Sequence, residues 1–133
     1  MINHPKLIEF EKKLKDLVHE LDERLEERYG GNLTLHPARR PRGTTSNSAH
    51  DGLFDIRGEF TLGLGSESGK GYIIDIDIKT LDKIPEDYLK SIKKDTKVFL
   101  EKNLPAIFPG RDLSIIDENG QIKITGDLSL GKA

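Results

Sequence analysis

The chain has 133 residues, a formal net charge of −2 and no cysteine. This length suits one domain over 1–133. The missing cysteines exclude disulfides, thiolate metal sites and cysteine nucleophiles, and the slight acidity argues against bulk attraction to nucleic acid or acidic membranes. The N-terminus lacks the pattern of a secretory signal and no apolar run nears the ~18 residues of a membrane span, so the expected compartment is the cytoplasm, with no membrane partner.

Residues 5–29 read as one long amphipathic helix. Leu7, Phe10, Leu14, Leu17, Leu21 and Leu25 recur at steps of three and four, and Ile8, Val18 and Tyr29 widen the stripe. Asn3 is a candidate cap, Pro5 suits the first turn, and Gly30-Gly31 stops the helix. The near-heptad spacing also allows a homodimer through this helix, although packing on the chain's own sheet is the simpler expectation.

Residues 30–52 hold little regular structure beyond a possible strand at Leu33–Leu35. Pro37, Pro41, Gly43 and a polar run from Thr44 to Ser48 favour irregular backbone. Connections of this length in a compact domain tend to carry function or lack order. His36, Arg39, Arg40, Arg42 and His50 concentrate positive charge here, and arginine's planar fork suits phosphate or carboxylate. These five are the candidate ligand-binding residues, for an anionic ligand or an acidic protein partner. A nucleic-acid backbone stays open as a partner, but the loop has no aromatic residue on which bases could stack.

Two strands follow. Phe54, Ile56, Phe60 and Leu62 alternate with Asp55, Arg57, Glu59 and Thr61; Tyr72, Ile74, Ile76 and Ile78 alternate with Ile73, Asp75, Asp77 and Lys79. A symmetric hairpin sets Leu62 opposite Tyr72, Phe60 opposite Ile74, Asp55 opposite Lys79 and Arg57 opposite Asp77, an exposed ladder of opposite charges. The glycine-rich connection 63–71 does not fit a phosphate loop, since it opens into a strand rather than a helix. A second helix is expected over 85–103, started by Pro85, buried through Leu89, Ile92, Thr96, Phe99 and Leu100, and ended by Pro105. Leu113, Ile115, Ile122 and Ile124 outline a last hairpin around Asn119-Gly120.

The resulting fold class is α+β: a two-layer sandwich in order α-(β)-β-β-α-β-β. Its mainly antiparallel sheet has four to five strands, with two helices on one face and the other face wet. The function expected is a non-catalytic binding or assembly module with no cofactor. An alternative comes from Asp77-Ile78-Lys79, which resembles the second half of the PD-(D/E)xK nuclease motif. The resemblance implies Asp55 and Asp77 as ligands of Mg²⁺, Lys79 as the group that positions or activates water, and Glu20 or Glu23 as an acidic residue of the first helix. Asp51 is a second candidate for the first carboxylate. That family has the order α-β-β-β-α-β, which requires Leu33–Leu35 to be a strand, and it covers both faces of its sheet.

Overall fold

A computed structural model describes residues 5–45, 51–61, 69–118 and 121–126. Helix α1 runs Pro5–Tyr29, strands β1 and β2 run Phe54–Thr61 and Gly71–Ile78, helix α2 runs Glu86–Ile107, and strands β3 and β4 run Leu113–Glu118 and Gln121–Gly126. The sheet has order β1-β2-β4-β3 and every neighbouring pair is antiparallel. This is the α+β architecture expected, with four strands. Leu35 makes only an isolated bridge to Thr80, so Leu33–Leu35 is not a fifth. Asn3 and the Asn119-Gly120 turn lie outside the described residues.

The apolar stripe of α1 does its expected work: Phe10, Leu14, Leu17, Val18, Leu21, Leu25 and Tyr29 are buried, whereas Ile8 is exposed. They meet Phe54, Ile56, Tyr72, Ile74, Ile122 and Ile124 from one face of the sheet. From α2 come Ile92, Thr96, Phe99, Leu100 and Leu104. Each large side chain contributes about 1.5–3 kcal/mol on burial. Thr96 satisfies its hydroxyl inside the core by donating to Ile92 O at 2.8 Å. The Tyr29 hydroxyl donates to Asp95, and the Tyr88 hydroxyl donates to Tyr29 O at 3.0 Å, which ties the two helices together.

Four expectations need correction here. Pro105 does not end α2, which continues through it to Ile107. Pro105 has no N–H to donate to Glu101 O, so the helix gives up one bond there, and the buried Leu104 and Phe108 hold the turn, closed by Phe108 N–H donating to Leu104 O at 2.8 Å. Pro85 caps the helix from outside, and Leu89 is exposed rather than buried. The β1–β2 register is also two residues from the symmetric one. Phe60 faces Tyr72, Ile56 faces Ile76, Arg57 faces Asp75 and Asp55 faces Asp77. Leu62 lies outside the described residues.

The face away from the helices is charged and largely wet at β1 and β2, where Arg57, Glu59, Asp75 and Asp77 are exposed. Lys123 departs from that pattern. Its register partners Ile73 and Ile116 place it on this face, yet only 1% of it is exposed. Its ammonium donates to Gly69 O, so the end of the β1–β2 connection closes over it.

Candidate functional site

The long loop is anchored to α1 by buried polar groups. Asp22 and Glu26 sit one helical turn apart, and both face the end of the loop, because 22 continues the buried sequence Val18, Leu25, Tyr29. Asp22 and Asp51 are each 1% exposed. Arg42 lies between them, its Nη1 2.7 Å from Asp22 Oδ1 and 3.5 Å from Asp51 Oδ1. Asp51 Oδ2 accepts from Gly43 N–H at 3.1 Å, Thr45 N–H at 2.9 Å and the Thr45 hydroxyl at 3.1 Å. The chain from Arg42 to Thr45 therefore wraps around one carboxylate.

Arg39 acts on the same segment from the other side. Its Nε donates to Gly52 O at 2.9 Å, and its Nη2 donates to Asp51 O and Phe54 O, both at 3.0 Å. Glu26 Oε1 accepts from Leu53 N–H at 2.8 Å. Gly52 between them has φ +78°, and a Cβ there would stand 2.4 Å from Glu26 Oε1. Both the left-handed backbone and the close carboxylate require glycine.

The two buried carboxylates shift in opposite directions. Burial pushes Asp22 up to about 6; Arg42 opposes that rise and Glu26 adds to it. Neither Asp22 oxygen has an aligned hydrogen-bond donor, so the Arg42 contact is ionic without good N–H direction. Burial also raises Asp51, but the Thr45 amide and hydroxyl, the Gly43 amide and Arg42 outweigh it and hold Asp51 below its ordinary value.

A second cluster lies on the wet face. Asp55 sits directly across from Asp77. Lys79 Nζ is 2.8 Å from Asp77 Oδ2 and 3.9 Å from Asp55 Oδ2. Arg57 also grips both oxygens of Asp55, Nε to Oδ1 and Nη2 to Oδ2, each at 3.1 Å. Asp55 is 5% exposed, whereas the Asp77 side chain is 59% exposed. Among the described residues no group of three or more His, Asp or Glu has the geometry to hold a metal ion.

The residues singled out from sequence therefore separate. Asp55, Asp77 and Lys79 come together. Of the basic loop residues, Arg39 and Arg42 turn inward, and Arg40 is exposed. His36 is half-buried, with Nδ1 accepting from Ala38 N–H at 3.0 Å, and His50 lies outside the described residues. On α1, Glu20 is exposed and Glu23 pairs with His19 at 2.9 Å. Sequence reasoning missed Asp22, whose signal was a charged residue on an otherwise apolar stripe. It also missed Lys90, Lys93, Lys94 and Lys97, one basic face of α2 by their helical spacing.

Fold and clusters together define a small α+β protein with an ion-anchored loop, and no helix among the described residues is long and apolar enough to cross a membrane. The chain belongs to a family whose model bears the description "Uncharacterised protein" and matches residues 5–126. It is 34% identical over 125 residues to an "Uncharacterized protein" of Borreliella burgdorferi (strain ATCC 35210 / DSM 4680 / CIP 102532 / B31), covering 94% of this chain and 98% of that protein. No solved structure matches the chain.

Proposed function

We propose that the chain is a non-catalytic binding or assembly module of the cytoplasm that uses the basic loop 36–50 to contact an anionic ligand or an acidic partner. The supporting observation is that the described part of this loop, residues 36–45, is held by the chain's own groups. Arg39 ties this part to β1 and Arg42 ties it to α1, and Gly52 N–H donates to Arg40 O at 2.8 Å, so the backbone of Arg40 is fixed while its side chain is exposed. A segment ordered beforehand loses less conformational entropy when it binds. His36 and His50 complete the basic set in this reading. Fluorescence titration with a labelled polyglutamate peptide, and separately with heparin, distinguishes a carboxylate partner from a sulfate- or phosphate-like one. Arg40→Glu should weaken the preferred probe at least threefold at low salt. Equal affinity of variant and wild type for both probes rejects the loop as the contact.

The juxtaposition of Asp55, Asp77 and Lys79 supports a second reading, a Mg²⁺-dependent nuclease. Paired carboxylates would hold the cation, and Lys79 would position water. Against it, Arg57 already occupies both Asp55 oxygens, both helices lie on one face, and Leu35 forms no strand. Incubation of plasmid DNA and of RNA with Mg²⁺ or Mn²⁺ decides the matter: cleavage abolished by Asp77→Ala would favour this reading over the first.

A further inference from the structure

Among the described residues, strand β1 is an outer strand of the sheet, paired with β2 alone. Lys79 N–H donates to Leu53 O, and the register that follows turns the backbone groups of Asp55, Arg57 and Glu59 towards β2. The unbroken register then points the N–H and C=O of Phe54, Ile56, Gly58 and Phe60 outward. At Phe54 these groups are met: Glu26 Oε1 lies 3.4 Å from its N–H nitrogen, and Arg39 donates to its carbonyl at 3.0 Å. At Ile56, Gly58 and Phe60 no donor or acceptor among the described residues meets them.

Beside this edge runs a groove of about 640 Å³, bounded by Glu11, Lys15 and Val18 of α1 and by Ile56, Phe60 and Tyr72 of the sheet. Phe60 is 40% exposed there. Gly58 makes room for Tyr72 on the groove wall: a Cβ on it would stand 2.1 Å from the Tyr72 hydroxyl oxygen, so the Tyr72 ring occupies the space of a side chain. On the opposite face of the same edge stand the exposed charges Arg57 and Glu59.

We infer that this groove receives an extended peptide segment of a partner protein as a fifth strand beside β1. The backbone of Ile56, Gly58 and Phe60 offers three donors and three acceptors in the spacing of a strand, which is how peptides add to sheet edges. Side chains opposite those three residues enter the groove and are apolar. Those opposite Arg57 and Glu59 lie on the wet face and are acidic and basic respectively. The clasp at Phe54 marks the closed end of the slot. A second copy is the poorer occupant. Strands pair at about 4.8 Å, but helices need about 8–10 Å between axes, and α1 packs on β1 itself, so two copies joined through β1 would bring their α1 helices into collision.

The probe is a capped nine-residue peptide alternating valine with charged residues, its central charges arranged as lysine, valine, glutamate for antiparallel addition. Titration into ¹⁵N-labelled full-length protein should give saturable binding and slow the amide exchange of Ile56, Gly58 and Phe60. Methylating the peptide amides that face β1 should weaken binding at least tenfold, while methylating the alternate amides should not. Absence of saturable binding up to about 1 mM, protection confined to other residues, or indifference to the position of methylation would overturn the proposal. So would protection of the same amides that grows with protein concentration and needs no peptide, since that outcome means self-pairing.

Discussion

Asp51 and Asp55 lie close in sequence, and both are almost fully buried, yet their charges are met in different ways. Asp51 is enclosed by main-chain N–H groups of its own loop and by Arg42, which also serves Asp22. Asp55 is met by the long side chains of Arg57 and Lys79, whose heads reach it across the wet face of the sheet. Charges met by fixed amides inside a fold are held by the fold itself. Exposed side chains meet a charge at an entropic cost and under salt screening, so each such pair contributes little. One cluster therefore holds the architecture together, and the other is free to change without unfolding it.

The largest expected effect breaks the first cluster. Arg42→Ala leaves Asp22 and Asp51 buried and close without their shared cation, and should cost about 3 kcal/mol in urea unfolding; a loss under about 1 kcal/mol would mean that Arg42 is dispensable to the loop. The pH dependence sharpens the contrast within that cluster. Because Asp22 titrates near 6 when folded and 3.8 when unfolded, the folded state holds an extra proton between those values. Its contribution to stability thus falls as pH rises from about 4 through 6, on the order of 1–2 kcal/mol, reduced from the full linkage value by solvent reaching the half-buried Arg42. Asp51 works in the other sense: its folded value is held low, so its contribution is present above about 4 and is lost on acidification. Asp22→Asn should flatten the decline between pH 4 and 6, and parallel profiles for the two proteins would refute the assignment. The smallest effect belongs to the second cluster. Asp77→Asn should change stability by no more than about 0.5 kcal/mol, since Lys79 keeps Asp55 within reach. A larger loss in the same unfolding assay would show that the wet-face charges are structural too.

The elements were readable where local chemistry and burial agree. The stripe of α1, bracketed by Pro5 and Gly30-Gly31, gave its bounds directly. The faces of β1 and β2 were readable as well, but not their register. A one-residue slip exposes every apolar side chain, whereas a two-residue slip returns each to the same face. Alternation therefore cannot distinguish Asp55 opposite Lys79 from Asp55 opposite Asp77. Pro105 misled because proline propensity speaks of helix interiors, while packing of Leu104 and Phe108 governs a last turn. The basic loop was recognisable as unusual, but sequence could not show that Arg39 and Arg42 face inward, since their partners Asp22 and the carbonyls of Asp51, Gly52 and Phe54 come from distant segments or carry no residue-specific signal. Lys123 was hidden for a related reason: its cover comes from the end of a hairpin connection, not from its own strand.

The strand order has a consequence for how the chain is made. β4 lies between β2 and β3, although it follows both in the chain. Until residue 126 has emerged, β2 lacks its inner neighbour and Ile74 lacks the row of Ile122 on which it packs. Vectorial synthesis can thus build α1, the β1–β2 hairpin and α2, but cannot close the sheet. A message cut short between the β3 and β4 codons would yield a product with an open seam through its middle rather than a shortened but intact fold.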